Sequence, residues 1–282
     1  FWPSWLFQLP VVGHACWLAL RHRHPTLFTA ANPGIPSGGF VEESKSAILE
    51  GLAGGPIARF VAIDLPEDPD ARAGAVAAAM DAAGLALPIV LKPDVGERGR
   101  GVEVVRTRAA IAQYVAGQGG RILAQEYVPG EEFGVFYVRQ PEAERGRIFS
   151  ITGKRFPVVV GDGVRPLEEL ILADDRAVCM AAFHLDVNAH RLDDVPPAGC
   201  SVQLVEIGNH CRGTVFLDAR PLWTPELEAA IEAIARRFEG FFFGRFDLRA
   251  PSVEAFRAGV GLKVLELNGV TSEATHIYDP DA

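Results

Sequence analysis

The chain has 282 residues, of which 49% are hydrophobic and 22% charged, a globular composition long enough for one large or two medium domains. Its formal net charge is −9 with no long Lys/Arg block, which argues against a nucleic-acid partner and requires any anion site to gather its positive charge locally. Cys16, Cys179, Cys200 and Cys211 show no Cys-x-x-Cys spacing and read as free or buried thiols of a reducing compartment.

The chain opens at Phe1 and stops at Ala282, and both ends read as truncated. Residues 1–28 carry three of the four tryptophans and lead into Arg21, His22, Arg23 and His24. Pro3, Pro10 and Gly13 break the apolar part, which is too short for a transmembrane helix. Its basic end follows the apolar run, the reverse of a signal peptide. The segment reads as a greasy helix docked on the domain or on a partner chain. The competing reading is an interfacial membrane helix, with Trp at the headgroups and Arg beside them. AANPGIPSGGF (30–40) is a breaker-rich loop.

A helix opening near Glu42 and ending before Gly54 carries Lys45 in its first turns, and alone that lysine is a surface residue. A strand follows over 58–64. Asp68-Pro69 then caps an Ala-rich helix that stops at Gly84. In PIVLKPDVGERGRGVEVVR (88–106) a strand delivers Lys92 to a loop with Gly96, Gly99 and Gly101, and a second strand follows. Glycines let backbone N–H groups approach phosphate oxygens, and an ammonium supplies a point charge for them. This is not a Walker A loop, because the Lys precedes the glycines and a strand follows. A simple glycine hairpin explains the pattern about equally well.

After a helix over 107–117, strand ILAQEYV, a Pro-Gly turn and strand EFGVFYV form a hairpin-like corner. IFSITGKRFPVVVGDGVRPLEELIL (148–172) has a strand, the basic pair Lys154-Arg155, a GDG turn and a short helix begun by Pro166. Residues 174–216 cover a helix, a Pro-Pro turn and a strand, with the polar loop GNHCRG at 208–213. Thr224-Pro225 starts a helix whose Leu227, Ile231, Ile234 and Phe238 follow helical spacing and serve core packing.

FFFGRFDLR (241–249) and LKVLEL (262–267) read as strands. Alternation puts Arg245 and Asp247 on one face of the first, and Glu266 and Asn268 on one face at the end of the second. If the strands pair, two carboxylates, an amide oxygen and a guanidinium converge, an oxygen set that suits Mg²⁺ with water and phosphate. The bland alternative is a pair of solvated charges, disfavoured because an unpaired charge in a greasy strand is costly.

GRFDLR followed by VLELNGVTSEATH resembles the metal-binding end of ATP-grasp ligases, D-alanine–D-alanine ligases in particular. The resemblance runs over roughly residues 40–279 in four segments, and RFPVVVGDG resembles the same region of cyanophycin-synthetase-type members. It implies an α+β fold of two subdomains, each a largely antiparallel sheet with helices, clasping ATP. The segments are then 1–40, an N-terminal subdomain over 41–123 and a C-terminal metal and substrate subdomain over 124–282. The family's usual preceding nucleotide-fold domain is missing or reduced.

By resemblance, Asp247, Glu266 and Asn268 hold two Mg²⁺ ions, with Mn²⁺ as a substitute, on the ATP phosphates. Arg245 faces the acyl-phosphate and the tetrahedral intermediate. Lys45 and Lys92 contact the phosphates under a covering loop with Gly99 and Gly101. Gln125, Glu126, Tyr127 and Val128 surround adenine, with backbone groups of Glu126 to Val128 reading its edge, and Glu132 takes the ribose. Lys154 and Arg155 are candidates for the γ-phosphate or an anionic substrate, and His210 and Arg212 for a carboxylate. Thr271-Ser272 stand where the family has Pro-Gly. From their position after the metal ligands alone, Thr271, Ser272, Thr275 and His276 are expected to face the acceptor, and Glu273 is a candidate to receive an amino group.

The implied activity is ATP-dependent joining of a small carboxylate, amino-acid-like or peptide, to an amine or thiol through an acyl-phosphate. The alternatives are an ATP-grasp kinase of a small molecule and a non-catalytic nucleotide-binding, membrane-associated protein. The expected location is the cytoplasm, including the inner face of the membrane. A homodimer and a peripheral membrane contact through residues 1–28 both stay open.

Overall fold

The computed structural model describes residues 4–41, 43–96, 100–208 and 213–278. Gly99, His210 and Arg212, three of the expected contacts, lie outside the described residues, as do Glu42 and Cys211. Helix α1, Ser4–His22, leads through 3-10 turns at Leu27–Ala31 and Pro36–Gly39 to α2, Lys45–Gly51. Helix α2 opens at Lys45, later than the sequence suggests, because the Ser44 side chain caps it by accepting from the Ala47 N–H.

The first sheet is built from β1 (Phe60–Asp64), β2 (Ile89–Pro93), β3 (Glu103–Val105) and β4 (Arg121–Glu126), in the order β1-β4-β2-β3. Every pairing in it is antiparallel. Helices α3, Pro69–Ala82, and α4, Arg108–Ala116, cover one face. Asp68 caps α3 as the sequence predicts, and Thr107, read from the sequence as the first residue of its helix, caps α4. Val76, Met80, Ile89, Leu91, Ile111 and Ile122 form the buried layer between.

The second sheet takes β5 (Glu131–Val138), β6 (Arg147–Arg155), β9 (Val215–Asp218), β10 (Phe243–Ala250) and β11 (Lys263–Asn268), in the order β11-β10-β5-β6-β9, again antiparallel. Between β6 and β9 the chain makes a small unit of β7 (Val158–Val160), α5 (Leu167–Ala173), α6 (Ala181–Val187) and β8 (Ser201–Gln203) with its own apolar cluster. Helix α7, Pro225–Ala235, lays Leu227, Ile231 and Ile234 on the inner face of the large sheet, against Phe133, Val135, Ile151 and Phe246. The short α8, Val253–Arg257, sits between β10 and β11. The expected architecture, α+β with mainly antiparallel sheets in two subdomains, is the one observed.

Two local expectations change. Strands β4 and β5 do not pair with one another: β4 completes the first sheet and β5 lies in the centre of the second. The Pro129-Gly130 turn is therefore a crossing between sheets. Gly130 has φ +113°, and a Cβ there would stand 2.2 Å from the Ala250 carbonyl oxygen. The second change concerns α1, which is not buried against the domain: Leu9, Val11, Val12, Trp17 and Leu20 are all exposed.

Candidate active site

Register, not sequence proximity, assembles the site. On β10 and β11, Arg245 pairs with Asn268 and Asp247 with Glu266, so the predicted face exists. The pairings onward through β5, β6 and β9 extend it into three cross-strand rows. One row carries Arg249, Glu132, Lys154 and Phe216. The next carries Glu266, Asp247, Gly134, Thr152 and Asp218. The third carries Asn268, Arg245, Phe136 and Ser150. Strand alternation sends all of these to one side while Phe133, Val135, Ile151 and Phe246 go to the core.

Asp247 is the hub. Arg245 forks onto it, Nε to Oδ1 and Nη2 to Oδ2, both at 3.0 Å. The Asn268 amide donates to Oδ2 at 3.1 Å, and Lys154 Nζ lies 3.6 Å from Oδ1. Burial pushes this carboxyl up, but Arg245 and Lys154 outweigh it and hold its pKa down to about 2. Lys154 gives its shortest bond, 2.6 Å, to Glu132 Oε1. Burial works against its charge, yet Asp247 and Glu132 raise its pKa above the usual lysine value. Glu132 Oε2 accepts from Arg249 Nη2 at 2.9 Å and from Nε at 3.1 Å. Gly134 makes room for all this: a Cβ there would meet Arg245 Cδ at 3.1 Å and Asp247 Oδ1 at 3.3 Å.

The first sheet contributes the facing cations. Lys92, buried at the end of β2, donates to Gln125 Oε1 at 3.0 Å and to the Leu265 carbonyl at 3.3 Å. Gln125 Nε2 donates to the same carbonyl at 3.1 Å. A β-bulge explains the carbonyl's availability. Asp247 pairs with Glu266 and Leu248 with Val264, so Leu265 is the extra residue and its C=O is turned toward the other subdomain. Burial lowers the pKa of Lys92, and the fields of Glu266, Asp247 and Glu132 oppose that shift. Lys45 comes in beside it, with Nζ donating to the Gly96 carbonyl at 2.8 Å. Asp94, just beyond Lys92, accepts from the Ser46 N–H at 2.7 Å and from Ser44 Oγ at 2.8 Å, which fixes α2 against the end of β2.

The other expected residues separate. Glu126 pairs with Arg59 and Lys263, its N–H donates to the Arg59 carbonyl, and the Val128 carbonyl accepts from Arg249. Two backbone groups of the stretch expected to read adenine are thus bonded inside the protein. The Tyr127 ring lies 5.4 Å from the Arg249 guanidinium. Glu132 is held between Lys154 and Arg249. Arg155 leaves the site: it alternates to the opposite face of β6 and lies exposed at a cavity of about 310 Å³ lined by Phe133 and Leu217. Ser272 Oγ closes a local turn on the Gly269 carbonyl, and Glu273 contributes its backbone carbonyl to Arg245. The 3-10 turn Thr275–Tyr278 folds His276 back so that Nδ1 meets Thr152 Oγ1 at 2.9 Å.

Three site residues escape sequence reading. Arg249 had a signal, since it follows Asp247 at strand spacing. Thr152 and Ser150 had none. Ser150 Oγ is buried and, among the described residues, makes no hydrogen bond. Cys16, Cys179 and Cys200 are free and exposed.

A divalent cation fits part of this arrangement. Among the described residues no group of three or more His, Cys, Asp or Glu gathers to hold a metal. The set present is two carboxylates and an amide, enough for an ion that keeps water and phosphate in its shell. The Asn268 amide must turn its oxygen toward Asp247 to join that set.

No family model matches the chain, and no curated protein matches it in sequence. Among solved structures it is similar to N5-carboxyaminoimidazole ribonucleotide synthetase (purK) in its ADP complex, at 16% identity and a TM-score of 0.49, covering 88% of this chain and 50% of that one. It is similar to the VanG D-Ala:D-Ser ligase from Enterococcus faecalis at 12% identity and a TM-score of 0.47, over 83% of this chain and 55% of that one. It is also similar to the ATP-grasp ligase PsnB complexed with minimal precursor, at 15% identity and a TM-score of 0.42, over 82% and 52%. The chain spans 33% to 57% of the length of the solved structures it matches. At such identities and TM-scores, what the site does has to be read from its own residues.

Proposed function

We propose that this chain is an ATP-grasp ligase that joins a small carboxylate to an amine at the expense of ATP. One observation carries the reading: Asp247, Glu266 and Asn268 meet on paired strands of one subdomain, while Lys92 of the other reaches the carbonyl next to Glu266. Acids on one subdomain with lysines brought up to them from the other are what a metal-bound triphosphate requires. A magnesium ion held by Asp247, Glu266 and Asn268 would spread the negative charge of the phosphates.

The chain's own groups supply the rest. Lys92 and Lys45 draw the phosphates toward the β2 end. Lys154, held charged by Asp247 and Glu132, would meet the γ-phosphate in this reading. Arg245, which forks onto Asp247, would stabilise the oxyanion formed when the amine attacks the acyl-phosphate and inorganic phosphate leaves. Ser150, with its unsatisfied hydroxyl on the same face, is placed to hydrogen-bond a substrate. His276 and Thr152 border the acceptor side.

The test is ADP release measured against amino acids and dipeptides in all pairs, with product mass. The reading predicts ADP formation that needs both a carboxylate and an amine, and a product lighter than their sum by one water. A stable phosphorylated product formed without an amine would instead make the protein a kinase.

A further inference from the structure

Helix α1 is apolar on all sides instead of along one stripe: Leu9, Val11, Val12, Trp17 and Leu20 point in different directions around the axis and are 50% to 80% exposed. A helix of that kind belongs inside a core or in lipid, and the domain does not cover it. The apolar surface continues past the helix. Phe28 and Phe40 pack edge to face, 4.9 Å between centroids, and both are exposed, as is Val41. Charge defines one end of it. Arg21, His22, Arg23 and His24 are consecutive and exposed on a chain of net charge −9. Arg21 lies over the Trp17 ring at 5.2 Å, and His14 stacks on that ring at 5.6 Å. A tryptophan ring under an arginine at the edge of an apolar surface matches the headgroup level of an anionic bilayer. Among the described residues no helix is long and apolar enough to cross a membrane.

We infer that α1, together with Phe28, Phe40 and Val41, docks the protein onto an anionic lipid surface. A second copy of the chain fits less well. Arg21 and Arg23 on each copy would bring like charges together wherever the basic helix ends meet.

The docked segment is also tied to the acceptor side of the site. The Gly38 carbonyl accepts from the Val270 N–H, the Gly39 carbonyl accepts from Thr271 Oγ1, and Glu43 Oε1 accepts from the Gly269 N–H. Docking therefore sets the turn after Asn268 close to the headgroup layer. Resting on the ligase reading, this points to an amphiphile whose carboxylate or amine sits at the bilayer surface as one of the two substrates.

The experiment is co-sedimentation of the full chain with phosphatidylcholine vesicles, with and without about 30 mol% phosphatidylglycerol. Wild type should pellet with the anionic vesicles, and high salt should reverse most of it. Leu9→Glu with Val12→Glu should abolish pelleting, and Arg21→Gln with Arg23→Gln should lower partitioning by roughly tenfold or more. Both variants should keep wild-type MgATP affinity and melting temperature. Because pelleting is read without turnover, it stands or falls apart from the ligase assignment. Wild type left in the supernatant with anionic vesicles would overturn the inference. So would a lipid-free dimer that the Leu9/Val12 variant dissociates and that ignores vesicles.

Discussion

Glu132, Lys154, Arg249 and Asp247 are buried charges that satisfy each other, and each is expensive to leave alone. Arg249→Met removes the partners of Glu132 Oε2 and the hydrogen bond to the Val128 carbonyl, so it should cost about 3–5 kcal/mol in denaturant unfolding. Arg249→Lys should recover little, since a point charge cannot fork. Ser150→Ala separates stability from function. Its hydroxyl is already buried and unpaired, so the melting temperature should hold or rise while KM for substrate increases. A fall in melting temperature with unchanged KM would make the hydroxyl structural. Gly134→Ala should lower turnover by at least about tenfold, because the added methyl displaces Arg245 and Asp247, where small misplacements are costly.

At the scale of elements, the strand pair β10–β11 was legible because its greasy runs are short, bounded by Gly and Pro, and carry charges at alternate positions. The Lys92 strand, the cap at Asp68 and the apolar stripe of α7 were legible for the same kind of reason, a local pattern with a local cause. The bulge at Leu265 was not. It depends on how β11 meets β10 and the first subdomain, and no residue there announces it. Arg155 was misread because a basic pair in sequence cannot lie on one face of a strand.

Asn32 was hidden in a loop that looked like mere connection. Fully buried, it donates to the Gly38 and Phe243 carbonyls and accepts from the Phe242 and Phe243 N–H groups, which staples the loop to β10. Asn32→Ala should cost about 3 kcal/mol through the buried groups it strands. A second element-level device is titratable. Glu232 on α7 is raised by burial but held below its usual pKa by Tyr137, Arg236 and the Gly146 N–H. A depressed carboxyl stabilises the fold above its unfolded pKa of about 4.5 and loses that contribution as pH falls through the lower folded value. Glu232→Gln should therefore lose stability at pH 7 and show a flatter decline below pH of about 4.5 than wild type.

Over the whole molecule, the two subdomains touch through Lys92, Gln125 and the Leu265 carbonyl, with Lys92 and Lys45 on one and Asp247, Glu266, Glu132 and Lys154 on the other. A ligand that bridges them binds only the assembled state. At about 100 times its Kd, MgATP should stabilise the fold by about 2.7 kcal/mol and raise the melting temperature by several degrees. Overall architecture was readable from four separated segments in order, whereas the disposition of α1 was not, since an apolar stretch of that length fits a buried or an exposed helix equally. The most direct test of the central claim is ATP affinity by calorimetry, with Mg²⁺ and with EDTA, for wild type and for Asp247→Asn with Glu266→Gln. Wild type should bind at least about tenfold more tightly with Mg²⁺, and the double variant should lose that difference, with a lowered melting temperature because Arg245 and Lys154 lose their carboxylate partner, so its binding is compared at a temperature where it is folded. An unchanged Mg²⁺ dependence in the double variant would contradict the assignment of these acids.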